Sequence, residues 1–300
     1  MLSNDDGQKQ VREKKEKIGL LAEGGGMKCA YGAGVLDAFL DAGITFDYCM
    51  GVSAGAANLV SYQAGQRDRN RRFYCIHAQD PRYISVKNFF RTGSLFGLSY
   101  IYGELSCDGG EDPVDYDALT DHPGELVFPA TDACTGRARY FTKHDMKRNH
   151  YELLMATCAL PVMCRPVSVE GRLYFDGGVS DSLPVEKMRE DGCGKIVALF
   201  SKPAGYWMPP QGMRKGYTLA LHRRFPNTVD ALNHRHVNYN HSMMLLREME
   251  KEGRAMTFAP DSGIKIGTYT TDPAMMQMLY DNGRQDGEKR MAELKKFLAE

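Results

Sequence analysis

The chain has 300 residues, of which 43% are hydrophobic, so it is long enough to bury one large core or two smaller ones. Its 38 Lys and Arg residues balance its 38 Asp and Glu residues, which excludes a globally basic nucleic-acid-binding surface. No apolar run reaches the ~18 residues that a membrane-spanning helix needs, and the N-terminus lacks the apolar core of a secretory signal. We therefore predict a cytoplasmic globular protein.

The cysteine and histidine spacing gives no indication of a metal site. There is no C-x-x-C pair, and the two histidines of "NHRHVNYNH" that are closest together, His234 and His236, would point to different faces of a helix. We expect reduced thiols, no metal and no cofactor. The cysteines are Cys29, Cys49, Cys75, Cys107, Cys134, Cys158, Cys164 and Cys193.

The first part of the chain alternates strand and helix patterns. Residues 1–16 are charged and lack periodicity, which predicts a disordered tail. "KIGLLAEGGG" then predicts a strand that ends in glycines, and "MKCAYGAGVLDAFLDAG" a helix ending at Gly43. "FDYCMGV" and "SAGAANLVSYQAG" repeat this order, with Gly65 as the stop. Such a β-α-β-α order favours an α/β fold with a parallel sheet covered by helices.

The middle of the chain is less regular. "LFGLSYIY" and the acidic "CDGGEDPVDYDAL" predict an irregular cap, and residues 125–143 a hairpin turning at 135–137. "YELLMATCALP" predicts a helix stopped by Pro161, and Glu170-Gly171 a tight turn between strands.

After a last predicted strand, "KIVALFS", the composition changes. Proline and glycine dominate to about residue 214, and polar helices are predicted around 228–251 and 273–299. We therefore expect a main domain at residues 17–205 and an accessory C-terminal helical region at 206–300.

Ser53 is a candidate nucleophile. It lies in the pentapeptide Gly51-Val52-Ser53-Ala54-Gly55, between a predicted strand and a predicted helix, where a nucleophile elbow belongs. The flanking glycines permit a sharp turn, and the helix that follows directs its N-terminal dipole at the serine oxygen. The alternative is a small residue that only fills a tight turn.

The run Gly24-Gly25-Gly26 ends the preceding strand, so its N–H groups are expected at the same sheet edge as Ser53. They would cradle a nucleotide phosphate or stabilise an oxyanion. A dinucleotide fingerprint would need glycine where Cys29 stands, which argues against the phosphate. Lys28, in the first helical turn, opposes the helix dipole and is either functional or simply exposed.

A nucleophilic serine needs a base, and the sequence offers two kinds. An α/β-hydrolase order would supply a histidine after Asp176, but those candidates all lie in the polar helical region. Asp176 follows the apolar strand "RLYF" and precedes Gly177 and Gly178, so its carboxylate is a plausible base if burial raises its pKa. The histidine candidates are His222, His234, His236 and His241.

Taken together, "EGGGMKCAYGAGVLDAFLDAGITFDYCMGVSAGA" and "ALPVMCRPVSVEGRLYFDGGVSDSLPV" resemble the patatin-like phospholipases over roughly residues 17–200. The resemblance implies a mainly parallel central sheet flanked by helices, with a C-terminal helical extension. It also implies that Ser53 and Asp176 form a catalytic dyad without histidine, and that Gly24, Gly25, Gly26 and Lys28 form the oxyanion hole. Cys29 departs from the family, which usually has glycine there. The motif glycines are Gly51, Gly55, Gly177 and Gly178.

The expected function is that of a serine acyl hydrolase acting on lipid carboxylic esters, like a phospholipase A or lysophospholipase. The expected partners are the lipid ester and a membrane contacted peripherally, with no nucleic acid. Two alternatives stay open: a membrane-associated lipid-binding protein with a vestigial site, and an α/β-hydrolase with a Ser-Asp-His triad.

Three weaker patterns bear on lipid contact. The arginines at 67, 69, 71 and 72 suit a helix C-terminus but are also candidates for anionic lipid. The segment 206–208 contains Tyr and Trp, which favour the headgroup layer. The stretch 89–102 either lines an acyl pocket or packs in the core.

Overall fold

A computed structural model describes residues 16–264 and 266–300. The N-terminal tail that the sequence predicts to be disordered, residues 1–16, therefore lies outside the described residues except for Glu16. No helix in the described ranges is both long enough and apolar enough to cross a bilayer.

The centre of the protein is one mixed sheet. Within the described residues its eight strands are β1 (Lys17–Ala22), β2 (Tyr48–Gly51), β3 (Glu125–Asp132), β4 (Ala138–Thr142), β5 (Val167–Val169), β6 (Arg172–Asp176), β7 (Cys193–Leu199) and β8 (Ala255–Phe258). They follow the order β5-β6-β3-β2-β1-β7-β8, and β4 pairs with β3.

The part of the sheet that carries the glycine run and Ser53 is parallel, as predicted, whereas β6, which carries Asp176, pairs antiparallel with β3. β1 pairs in parallel with β2 and β7, and Ala22 lies opposite both Gly51 and Leu199. The carboxyl ends of these three strands therefore meet at one edge. The other end of the sheet is antiparallel, because hairpins join β3 to β4 and β5 to β6. Their turns contain Gly136, Glu170 and Gly171 at positive φ, where the sequence predicted turns.

Helices cover both faces of the sheet. In the described ranges they are α1 (Ala30–Asp41), α2 (Ala54–Gln63), α3 (Arg69–Cys75), α4 (Val86–Thr92), α5 (Leu98–Tyr100), α6 (Tyr116–Asp121), α7 (Glu152–Thr157), α8 (Val185–Glu190), α9 (Arg214–Leu221), α10 (Pro226–Lys251), α11 (Pro273–Lys289) and α12 (Met291–Ala299). The predicted irregular cap is more helical than expected, since α5 continues into a wide π-helical turn at Ile101–Leu105.

The alternation of side chains along β1 explains the two helical layers. Leu20 points into a core shared with Phe39 of α1, whereas Leu21 points into a separate core with Tyr239 and Leu246 of α10. The two-sided burial of the strand is the expected pattern for a parallel sheet.

The C-terminal region is closely integrated with the rest of the chain. β8 extends the sheet beside β7, and α11 packs directly on α1. A Cβ atom on Gly34 would overlap the Tyr280 carbonyl, and one on Gly283 would overlap the Tyr31 carbonyl, so glycine permits close backbone contact. The helix predicted over 273–299 is interrupted at Arg290. The division of the chain near residue 205 stays a prediction.

Candidate active site

Ser53 lies at a sharp turn between β2 and α2. Its φ of 55° and ψ of −129° are sparsely populated for a residue with a side chain, which is the strained geometry of a nucleophile elbow. Both flanking glycines are required by space: a Cβ on Gly51 would lie 2.5 Å from the Ala56 Cα, and one on Gly55 would overlap the Ala22 carbonyl. The elbow therefore needs the glycines that frame Ser53 in the sequence.

Asp176 lies at the end of β6, and the fold brings it to Ser53 across 123 positions of sequence. The Ser53 hydroxyl donates a hydrogen bond of 2.6 Å to Asp176 Oδ2. The Gly178 N–H donates to Asp176 Oδ1 at 2.7 Å, so both carboxylate oxygens are held. Gly177 is necessary because a Cβ there would overlap the Pro129 carbonyl.

Burial controls the electrostatics of this pair. Ser53 is 8% exposed and Asp176 is 2% exposed. Desolvation raises the pKa of Asp176 to about 6, against the opposing hydrogen bonds from Ser53 and Gly178 and the charge of Arg235. A carboxylate with this pKa is a stronger base than an ordinary aspartate and is still mostly ionised near neutral pH.

The glycine run lies at the same sheet edge as Ser53. A Cβ on Gly24 would come within 3.0 Å of the Ser53 Cβ, and Gly26 has a φ of 59°. Within the described residues, the N–H groups of Gly24, Gly25 and Gly26 have no protein acceptor. These free donors beside the serine are available to a ligand oxygen.

Lys28 and Cys29, which follow the glycine run, lie in different environments. Lys28 is partly buried, and desolvation together with the charge of Lys202 lowers its pKa. The Cys29 thiol donates to the Glu23 carbonyl at 3.3 Å and is buried. Cysteine is therefore accommodated at the position where the resembling family has glycine.

Sequence analysis missed the residues that hold the two loops. The Ser53 N–H donates to Thr157 Oγ1 at 3.2 Å, and the Thr157 hydroxyl donates to the Pro129 carbonyl at 2.6 Å. Below the glycine run, the buried Glu23 carboxylate forms an ion pair with Lys202 and accepts from the Ser201 N–H at 2.8 Å. No sequence spacing links these residues, because they meet only through the sheet.

The C-terminal region also reaches the site at two points that the sequence did not indicate. Arg235 of α10 donates from Nε to the Gly178 carbonyl at 2.5 Å and to Ser182 Oγ at 3.0 Å. On the other side, the Met27 N–H donates to the Thr268 carbonyl at 3.2 Å. Residues of the predicted accessory region therefore support both the Asp176 turn and the glycine loop.

A largely apolar pocket opens beside Ser53. Of the stretch 89–102, only residues from 96 onward line the pocket, whereas Phe89 and Phe90 are exposed at the surface. Ala57 of α2 and Cys158 also face this space. Its main apolar walls are Phe73, Phe96, Leu98, Ile101, Tyr102 and Leu160.

Two of the four candidate histidines contact carboxylates other than Asp176. His234 contacts Asp230 and His241 contacts Glu186, and in the described part of the chain no histidine is hydrogen-bonded to Ser53 or Asp176. No group of three or more His, Cys, Asp or Glu side chains in residues 16–264 and 266–300 is arranged to hold a metal ion.

Comparisons with known proteins agree with this geometry. The model of the patatin-like phospholipase family matches residues 20–188, and a domain of unknown function, DUF6363, matches residues 225–299. The uncharacterized protein YjjU of Escherichia coli is 26% identical over 95% of this chain and 80% of its own length.

Two further proteins are similar to parts of this chain or to its structure. Lysophospholipase nte1 of Emericella nidulans is 27% identical over 65% of this chain but only 13% of its own length. The crystal structure of VipD from Legionella pneumophila aligns with 93% of this chain and 67% of its own, with a TM-score of 0.46 and 15% identity. Since the family model spans more than half of the sequence and includes both motifs that meet at the sheet edge, the chain belongs to the patatin-like phospholipase family.

Proposed function

We propose that the protein is a serine acyl hydrolase that cleaves carboxylic esters of lipids through a Ser53-Asp176 dyad. The single observation that carries this proposal is the 2.6 Å hydrogen bond from the Ser53 hydroxyl to the buried Asp176 carboxylate. It pairs a strained elbow serine with a carboxylate whose pKa is raised to about 6. Nucleophile and base within hydrogen-bond reach are the minimum for covalent acyl transfer.

In the first half of the reaction, Ser53 Oγ attacks the ester carbonyl carbon while its proton moves to Asp176 Oδ2. The carbonyl oxygen gains the negative charge, and the free N–H groups of Gly24, Gly25 and Gly26 are the donors nearest to hold it. When the tetrahedral intermediate collapses, the bond to the leaving oxygen breaks and the alcohol departs with the proton from Asp176.

In the second half, a water molecule attacks the acyl-enzyme and gives its proton to Asp176. The same donors hold the second oxyanion, and collapse releases the fatty acid as Ser53 Oγ recovers the proton. Lys28 adds positive charge beside the donor loop. The Gly178 N–H and Arg235 hold the carboxylate and its turn in one orientation throughout.

The apolar pocket beside Ser53 supports a lipid acyl chain as the group transferred. Its aromatic and aliphatic walls match a hydrocarbon chain. Cleavage of a phospholipid or lysophospholipid, as the family and one relative's name suggest, is our preferred reaction.

The alternative of a Ser-Asp-His triad has little support from the geometry, since no histidine in the described residues is hydrogen-bonded to Ser53 or Asp176. A lipid-binding protein with a vestigial site is also disfavoured, because both the elbow strain and the buried carboxylate destabilise the fold and have no role in binding alone.

Treatment of the full chain with a fluorophosphonate ester, followed by peptide mapping, tests the dyad. We expect one adduct on Ser53, a strong reduction in labelling rate for Asp176→Asn, and unchanged labelling when all four candidate histidines are replaced. No adduct on the folded wild type would refute the proposed hydrolase. Labelling that is lost in the histidine variant would favour the triad instead.

A further inference from the structure

An exposed surface around α4 has an unusual composition. Val86 is 64% exposed and Phe90 is 83% exposed, and Phe89 packs its ring against Phe90 at the surface. Large apolar side chains that cluster in water are unfavourable unless a partner covers them. We call this surface the α4 patch; it comprises Val86, Lys87, Phe89, Phe90, Arg91, Val162 and Arg165.

The charges of the α4 patch are all positive and unpaired. Within the described residues, no carboxylate lies within 4 Å of Lys87, Arg91 or Arg165, and their side chains have no hydrogen-bond acceptor. The nearby arginine cluster differs: Arg67 pairs with Asp41, and Arg72 with Asp112 at 2.7 Å. The arginines at 67–72, which the sequence offered as candidates for anionic lipid, are thus paired with nearby carboxylates. In the part of the chain that the structure describes, the cations of the α4 patch have no such partners and can contact an external anion.

The segments that carry the α4 patch lie next to residues that line the acyl pocket. The Leu95 N–H donates to the Met163 carbonyl at 2.7 Å, and the Arg165 N–H donates to Ser94 Oγ at 3.0 Å, so its two segments lie side by side. Phe96 directly follows Leu95, and Leu160 lies two positions before Val162. Both residues line the pocket. The α4 patch is therefore adjacent along the chain to the wall of the pocket that also contains Ser53.

We propose that the α4 patch docks the protein on an anionic lipid surface, with Val86, Phe89 and Phe90 inserted among the headgroups and the three cations against lipid phosphates. This proposal rests on the lipid ester hydrolase proposed above. Apolar insertion and cation attraction act together in interfacial binding, and each cation near an anionic surface strengthens binding roughly fivefold. Exposed apolar side chains and cations of a single sign are together the composition that matches an anionic lipid surface.

Vesicle co-sedimentation of the full-length Ser53→Ala variant tests the docking without hydrolysing the vesicle. We expect strong binding to phosphatidylcholine mixed with phosphatidylglycerol, weak binding to phosphatidylcholine alone, and a decrease with added salt. Replacing Lys87, Arg91 and Arg165 with Gln should weaken binding on the order of 100-fold, and Phe90→Ser should weaken it on both vesicles.

A matched control lies on α9, which also carries exposed cations and the exposed Leu219. Arg214→Gln with Lys215→Gln, and separately Leu219→Ser, should leave vesicle binding unchanged. Loss of binding in the α9 variants but not in the α4 variants would overturn the proposal. So would a change from dimer to monomer in Phe90→Ser by light scattering with unaltered vesicle binding, because a second copy would then cover the patch.

Activity assays with an intact Ser53 separate the two proposals. The α4 variants should keep wild-type turnover of a soluble short-chain ester and lose hydrolysis of vesicle lipid. Vesicle binding by a protein that turns over no ester would refute the hydrolase and leave the docking surface standing. Equal hydrolysis of vesicles by wild type and the α4 variants would refute the docking surface alone.

Discussion

Replacement of Asp176 with Asn should abolish activity and yet stabilise the protein in a pH-dependent manner. The carboxyl has an ordinary pKa of 3.8 and a folded pKa of about 6. The folded state therefore holds the proton more tightly than the unfolded chain does. Stability from this group is present below pH 3.8 and is lost as the pH rises through about 6.

The size of the effect follows from these two values. Linkage gives an ionisation cost of about 3 kcal/mol above pH 7 and roughly half of that at pH 5, so the difference between pH 5 and pH 8 is about 1 kcal/mol. Asparagine carries no charge and avoids this cost. Its amide retains an oxygen that can accept from the Gly178 N–H.

Urea unfolding followed by circular dichroism at pH 5 and pH 8 measures the effect. The stability of Asp176→Asn relative to wild type should increase by about 1 kcal/mol between the two pH values. Asp230→Asn, at an exposed carboxylate, controls for the loss of one formal charge. A relative stability that does not change with pH, or that falls as the pH rises, would refute the claim that burial makes Asp176 a strong base.

Other variants test the surroundings of the dyad. For a soluble ester, kcat/KM should rise with pH through about 6 and then level off. Arg235→Met should move this rise to higher pH, because the Arg235 charge lowers the pKa of Asp176. Arg235→Lys should return the rise to its wild-type position. Ala57→Phe should reduce hydrolysis of long-chain esters but not of short-chain ones, since Ala57 faces the pocket; equal loss for all chain lengths would argue against an acyl pocket. Lys202→Met should lower the unfolding free energy by about 3–5 kcal/mol, because it leaves the buried Glu23 carboxylate unpaired. Adding Glu23→Gln should recover part of this loss. An equal loss in the double variant would mean that the broken ion pair is not the cause.

The contacts of Arg235 and Thr268 connect the C-terminal region, for which the sequence indicated no role, to the candidate active site. An accessory domain would be removable without effect on the site, but these residues contact the Gly178 carbonyl and the Met27 N–H, respectively. β8 also completes the sheet edge beside β7. The C-terminal region is therefore better regarded as structural support for the candidate active site.

The sequence by itself determined the features that depend on local chemistry. The glycines around Ser53 and after Asp176 are required by backbone conformation or close approach, and these local requirements leave a pattern in the sequence. The order of strands and helices likewise follows from hydrophobic periodicity and glycine stops. This made the parallel part of the sheet predictable and identified Ser53 and Asp176 as candidate site residues.

Only the tertiary structure decided how distant residues are combined. The partners Thr157, Lys202 and Arg235 are ordinary polar residues whose roles arise from the neighbours that the sheet and α10 bring to them. The raised pKa of Asp176 depends on complete burial, and the paired or unpaired state of each arginine depends on which carboxylates lie within a few ångströms. Burial and long-range pairing are properties of packing, and a single sequence carries no periodic or local pattern that specifies them.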